Sequence, residues 1–325
     1  MNNIALENVF GIEGLNIHWY AVIIITGIAA GIIVGRFLAK EKGYNFELVI
    51  DLLTIALPMA IIGARVYYVA FEWESYAGDF LSMIAIWKGG LAIFGGVIGA
   101  VIGAIIFCKW RKVKLGDVLD IGAAPLILGQ AIGRWGNFVN QEAFGAAVTD
   151  VSKQWVPLSV YIDKVHSVFN PDTATWEICT QPWHQATFFY ESMWNLLVFV
   201  ILMLLRKKTK SRGSVFALYL VLYGAGRAVI EGMRTDSLWL IPGVVRVSQA
   251  LSIALVILGA AYLIFRRIKP LAPFAYSGRY SLTNSEQHKK DKTTAASDSS
   301  ARPEEKISAN AEQDKEDSDA DTSEH

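Results

Sequence analysis

Apolar residues gather along the chain into seven runs, each near the ~20 residues an α-helix needs to cross a ~30 Å hydrocarbon layer. They fall at about 18–38, 48–71, 89–109, 118–136, 185–205, 214–232 and 246–265. Runs so long and so poor in charge predict membrane spans, so the expected fold is an all-α polytopic bundle of seven transmembrane helices. The pattern stops at residue 284. From there to residue 325 large apolar side chains almost vanish and Ser, Asp, Glu, Lys and Ala dominate, a composition unable to bury enough surface to offset chain entropy. Residues 284–325 are therefore expected to be a disordered charged tail, and residues 1–283 the transmembrane domain.

The polar flanks orient the bundle. "RFLAKEKGY", "KWRKVK", "RKKTKSR" and "RRIKP" follow the first, third, fifth and seventh runs, whereas the connection "FEWESYAGDF" after the second is acidic. Cytoplasmic loops carry the excess of Lys and Arg, so the N-terminus is expected outside and the tail in the cytoplasm. The first seventeen residues contain no Lys or Arg, which predicts a retained first span and not a cleavable signal peptide. Gly27, Gly31 and Gly35 in the first run, and Gly95, Gly99 and Gly103 in the third, recur at every fourth position and predict close helix packing. No internal duplication of the spans, such as many transporters carry, is visible.

Composition narrows the chemistry. Thirty basic residues balance thirty acidic ones, so bulk charge points to no nucleic-acid partner. Cys108 and Cys179 are too few for a disulfide framework and lack metal-ligand spacing; they read as a small buried hydrophobe and a loop thiol.

With the orientation applied, polar residues collect at one level near the outer face. His18 and Tyr20 open the first span; Arg65, Tyr68 and Glu72 lie in the outer half of the second, and Lys88 precedes the third. Arg134 and Asn137 close the fourth, His184, Tyr190 and Glu191 open the fifth, and Tyr223, Arg227, Glu231 and Arg234 end the sixth. Ionisable groups in a span cost several kcal/mol unless they face the bundle interior and have partners there. Arg227 and Glu231 could pair at i, i+4, and Arg65 could pair with Glu72 two turns on. Arg134 has no acidic residue three or four positions before it, and an anion from elsewhere would suit it. A lipid phosphate is such an anion, since a planar guanidinium matches phosphate oxygens bidentately. Arg134 and Arg227 could clamp it while Asn137, Asn140 and Gln141 hold glycerol hydroxyls or backbone groups. At the cytoplasmic ends Asp51, Asp117 and Asp120 suit helix-flank capping, and Trp19, Trp73, Trp87, Trp135 and Trp183 suit an interfacial belt. His184 reads first as an interfacial hydrogen-bonding residue.

"GQAIGRWGNFVNQEAFG" at 129–145 resembles the signature of bacterial prolipoprotein diacylglyceryl transferases. "HWY" at 18–20, "GARVYYV" at 63–69, "WKGGLAIFGG" at 87–96, "FFYES" at 188–192 and "YGAGRAVIEGMRTD" at 223–236 are similar to the same family in the same order, over roughly residues 15–268. The resemblance implies a plasma-membrane enzyme that moves the diacylglyceryl group of phosphatidylglycerol onto the lipobox cysteine of a preprolipoprotein signal peptide, leaving a thioether and glycerol phosphate. It implies a seven-helix bundle with a small extracytoplasmic head, here 138–184, and functional roles for Tyr20, Arg134, Asn137, Asn140, Glu142, Gly145, Arg227 and Glu231. One position departs: where many members have a histidine, this chain has Phe94, which cannot accept a proton.

The chemistry needs a thiolate, from a thiol of pKa about 8.5, and a leaving phosphate that gains charge as the C–O bond breaks. Fixed arginines serve both needs, and no metal or cofactor is expected. Glu142, Glu231, Tyr20 and His184 all remain open as proton acceptors. The competing class is a transporter or flippase of an anionic lipid, which would use the same arginines but requires a polar route to the other face.

Overall fold

The computed structural model describes residues 4–8, 16–163, 166–170, 175–179, 182–209, 211–235, 239–241, 245–269, 271 and 276–283. The expected tail, 284–325, lies outside them. Seven long helices follow the seven apolar runs: α1 Trp19–Glu41, α2 Glu47–Phe71, α3 Ile93–Arg111, α4 Leu115–Asn140, α5 Thr187–Leu205, α6 Ser214–Glu231 and α7 Val247–Ile268. Each is long and apolar enough to cross a bilayer, and the chain is a multi-pass membrane protein.

Two boundaries move for identifiable reasons. The third run was expected to turn helical at 89, but Gly89 and Gly90 adopt φ of +85° and +74°, so α3 starts only at Ile93. The fourth continues past 136 to Asn140, where Gln141 takes a left-handed φ of 54° and the Gln141 and Glu142 amides bond back to Phe138 and Asn137 carbonyls. That is a C-terminal stop of the left-handed kind. Its consequence is functional: Arg134, Asn137 and Asn140 stand on helix and not on loop.

Small residues set the packing, as the four-residue glycine spacing predicts. A Cβ on Gly99 would collide with the Met59 carbonyl, and one on Gly95 with the Gly63 carbonyl, so α2 and α3 touch backbone to backbone. Gly27 on α1 faces the Gly129 carbonyl of α4, at 3.5 Å from where its Cβ would stand. α6 and α7 pair likewise, with Gly259 under the Ala217 carbonyl. Helices α4 and α6 are the most buried of the spans.

At one end of the bundle the segment between α4 and α5 forms a small head. Strand Ser159–Tyr161 pairs antiparallel with Trp183–Gln185, setting Val160 opposite His184, and His166–Asn170 pairs with Thr175–Cys179. Cys179 thus lies on a strand, where a loop was expected, and its side chain is outside the described residues; Cys108 is buried on α3 as expected. At the opposite end Tyr44, Leu48, Phe107, Val113, Ile121 and Tyr280 make an apolar core. Asp120 of α4 accepts the Gly213 and Phe216 amides at 2.9 and 3.0 Å and the Lys42 ammonium at 2.8 Å. It therefore caps the first turn of α6, a neighbour, where a role on its own flank was expected. Tyr44 donates its hydroxyl to Asp117 at 3.0 Å, and burial, then the Asp117 charge, holds that hydroxyl protonated far above the usual range.

Candidate active site

Three helices bring their polar residues together at the head end. Arg134 and Asn137 lie one turn apart near the end of α4, Glu191 lies in the second turn of α5, and Arg227 and Glu231 close α6. The Arg134 guanidinium meets one oxygen of Glu191 at 2.7 Å, and Arg227 donates to the other at 2.8 Å. Arg227 also pairs with Glu231 at 2.7 Å, the expected i, i+4 contact. Glu191 and Glu231 side chains are only 3% and 2% exposed, against 20% for Arg134 and 14% for Arg227. Breaking one member of such a buried network costs about 3–5 kcal/mol, because its partner stays buried and uncompensated.

A second tier hangs from the first. Arg134 donates to Asn137 Oδ1 at 3.2 Å; Asn137 and Asn140 each donate an amide N–H to Glu142 Oε1, at 2.9 and 3.3 Å. Glu142 is exposed, so the network runs from a dry carboxylate pair to a wet one. The Tyr20 ring lies over Gly136, where a Cβ would come within 2.7 Å of it, which sets the ring beside the Arg134 and Asn137 turn.

A groove of about 260 Å³ lies between α1, α4 and α5, lined by Ile23, Thr26, Leu128, Ile132, Trp135 and Leu196 among others. Trp135 donates its indole N–H to the Ser192 hydroxyl at 3.2 Å, and Ser192 donates to the Ala131 carbonyl at 2.9 Å. Trp135 and Ser192, which line the groove, directly follow Arg134 and Glu191 in sequence, on neighbouring faces of α4 and α5.

Several expected residues stand elsewhere. Arg65 does not pair with Glu72: its fork collects the carbonyls of Met83, Gly89, Gly90 and Ser82 at 2.9, 2.7, 2.8 and 2.6 Å, because the turn before α3 points all four at it. Gln141 is committed to the head, exchanging hydrogen bonds with the Asp163 carboxylate and amide, both at 3.1 Å. Of the two roles expected of Gln141, the bond from the Asp163 amide is the backbone one. His184 is fully buried, with Nδ1 2.9 Å from the Gly145 carbonyl and its ring on Phe144, so it organises the head. Gly145 bonds Gln185 through its amide, and a Cβ there would fall 2.8 Å from Gln185 Cβ and 2.9 Å from the Met233 carbonyl. Its place is one of close packing at the head's attachment to the end of α6. Phe94 sits half-buried in the first turn of α3. Of the five tryptophans expected in a belt, Trp19, Trp73, Trp87 and Trp135 are exposed, whereas Trp183 is half-buried on a strand of the head.

Glu191 was placed at this level by the sequence but given no role there. The signal was present: Arg134 lacked an acidic partner on its own helix, and Glu191 stood at the same level on the next span. The Glu191 carboxylate is an anion that meets Arg134 from another helix.

Comparison with known proteins agrees with this architecture. The family model described as prolipoprotein diacylglyceryl transferase matches residues 7–265. A protein of Listeria monocytogenes serovar 1/2a named phosphatidylglycerol–prolipoprotein diacylglyceryl transferase is 40% identical over 271 residues, covering 83% of this chain and 92% of its own. One of the same name from Streptococcus pyogenes serotype M1 is 41% identical over 257 residues, 78% of this chain and 92% of its own. Another, from Listeria welshimeri serovar 6b, is 40% identical over 267 residues. With seven spans carrying the signature residues and relatives this similar along nearly their whole length, the chain belongs to the prolipoprotein diacylglyceryl transferase family.

Proposed function

We propose that the Arg134, Glu191, Arg227 and Glu231 cluster is where this enzyme moves a diacylglyceryl group from phosphatidylglycerol to the cysteine thiol of a prolipoprotein. The transfer itself follows from membership of the family. The observation that carries the site is Glu191 holding two arginines from different helices, one residue along α4 and α5 from side chains that line a groove. A lipid phosphate arriving along that groove competes with Glu191 for guanidinium N–H groups. Each guanidinium has five such donors, enough to serve carboxylate and phosphate together.

In the reaction the thiol sulfur, as thiolate, attacks C3 of the glyceryl group. The C3–O bond to phosphate breaks, its electron pair stays on the phosphate oxygen, and glycerol phosphate departs against Arg134 and Arg227. The thiol proton passes to a carboxylate. Glu142 suits this role, being exposed and held by Asn137 and Asn140, whereas Glu231 is buried against Arg227. Tyr20 of α1 stands over Gly136, in the same turn of α4 as Arg134 and Asn137. Asn137 and Asn140 orient Glu142 and the glycerol hydroxyls, and Gly145 secures the head that admits the peptide.

The head faces outward and the α1–α2 turn faces the cytoplasm. The last turns of α1, α3 and α7, all at the end opposite the head, carry Lys40, Lys109 and Arg111, and Arg266 and Arg267, which supports this orientation. At the same end Tyr44, Phe107 and Tyr280 fill the core, which speaks for transfer at one face over passage through the bundle. The tail beyond 283 is a solubilising extension of the 1–283 domain.

The test uses purified protein in vesicles of phosphatidylglycerol with a lipobox peptide. A mass gain of one diacylglyceryl group, absent when the peptide's cysteine is serine, supports the reading; an unmodified cysteine peptide refutes it.

A further inference from the structure

Directly beneath the charged cluster lies a second polar layer. On α4, Gln130 stands four residues before Arg134; on α6, Tyr223 and Tyr219 stand four and eight before Arg227; on α5, Asn195 stands four after Glu191. Four residues are about 6 Å of helix, one turn, so all three helices place an uncharged hydrogen-bonding group one turn deeper into the span. Two sides of this layer satisfy each other: Gln130 donates to the Tyr219 hydroxyl at 3.1 Å, and the Tyr219 and Tyr223 rings stack at 5.5 Å.

Asn195 does not join them. It is 1% exposed, and neither its Oδ1 nor its Nδ2 has a hydrogen-bond partner among the described residues. It shares the buried face of α5 with Glu191, Val198 and Leu202, so it points at the bundle centre and not at lipid. A buried amide without partners costs about 1–3 kcal/mol, a cost that a site meant only for packing would remove by using Leu.

We propose that Asn195 recognises an ester carbonyl of the diacylglyceryl group, its amide N–H donating to that oxygen while the phosphate engages Arg134 and Arg227. The chemistry of the depth selects this partner. A glycerolipid whose phosphate sits at the arginine level carries its ester groups a few bonds further toward the acyl chains, about one helical turn deeper. Esters are acceptors only, and they are the polar groups such a lipid brings to that depth. The seam the lipid parts to reach Asn195 is held by the Ser192 hydroxyl on the Ala131 carbonyl. Asn195 is then a specificity residue, telling ester-linked from ether-linked donors.

This inference rests on the proposed transfer from phosphatidylglycerol, and the experiment separates the two. Full-length wild type and Asn195→Leu are assayed in vesicles with a lipobox peptide, using diester or diether phosphatidylglycerol of matched chains, and both proteins are melted without lipid donor. The expected wild type prefers the diester by about five- to ten-fold in kcat/KM, the worth of one hydrogen bond. In Asn195→Leu that preference collapses toward unity through loss on the diester alone, and the variant melts no lower than wild type. An equal loss on both lipids, a preference unchanged in the variant, a wild type without preference, or a lower melting temperature of the variant each overturns the assignment. Wild type that modifies no peptide with either lipid sinks the transfer reading itself, and this one with it.

Discussion

Arg134 and Glu191 meet across the seam of α4 and α5 at 2.7 Å, and the carboxylate's second oxygen takes Arg227 from α6 at 2.8 Å. One buried anion therefore sets the separation and orientation of both guanidinium groups. Glu191→Gln keeps the shape but removes the charge that lets two cations share this space. The expected outcome is a melting temperature lowered by the equivalent of about 3 kcal/mol and transferase turnover reduced by two orders of magnitude or more. Thermal unfolding in detergent and steady-state assay check it; a variant as stable and as active as wild type would show that the arginines hold their places without it.

Asp120 binds the opposite end together by capping α6 and receiving Lys42. Asp120→Ala leaves two amides without their acceptor and the Lys42 ammonium with only Asp117, at 3.7 Å. It should cost roughly 2–3 kcal/mol of stability, a cap plus a charge-assisted bond. KM for phosphatidylglycerol should stay unchanged, because the site is at the far end of the spans. A raised KM with unchanged stability would couple the two ends in a way this packing does not provide.

Phe94 stands where the family resemblance implies a histidine, and its ring cannot move a proton. Phe94→Ala should retain measurable turnover and lose about 2 kcal/mol of stability, less than a fully buried ring because this one is half-buried. Activity abolished in a correctly folded variant would give the ring a direct part in the reaction.

The head docks through Gln141 and Asp163, and the Gln141 amide holds the exposed Asp163 carboxyl below the usual aspartate range. A lowered folded-state pKa means that the contact is fully present above the unfolded value near 3.9 and is lost as pH falls through the lower folded value. Hydrogen exchange at the Asp163 amide, which donates to Gln141, should slow above about pH 4 relative to Gln141→Ala and lose that difference in stronger acid. A difference independent of pH would detach the amide's protection from the carboxyl's ionisation.

The spans were legible because hydrophobic length is a local property, and glycines at every fourth residue announced helix contact before any partner was known. The limits of α3 and α4 were not, since they depend on positive φ at Gly89, Gly90 and Gln141, which hydropathy does not register. Arg134, Arg227, Glu231 and Asn137 could be gathered by level alone. Which anion met Arg134 could not, because Glu191 lies 57 residues further along the chain and only packing of α4 on α5 joins them. Arg65 failed for the same reason: its carbonyl partners come from a turn whose shape was unknown. Spacing can suggest pairs within a helix, but it is silent on backbone acceptors.

The most direct measurement concerns the phosphate. Arg134→Lys and Arg227→Lys keep the charge and lose the planar fork, so both should fold while binding glycerol phosphate, the leaving group, at least ten-fold more weakly in calorimetry and losing roughly 10²-fold in turnover. Binding of glycerol phosphate with wild-type affinity by both variants would contradict the arginine site.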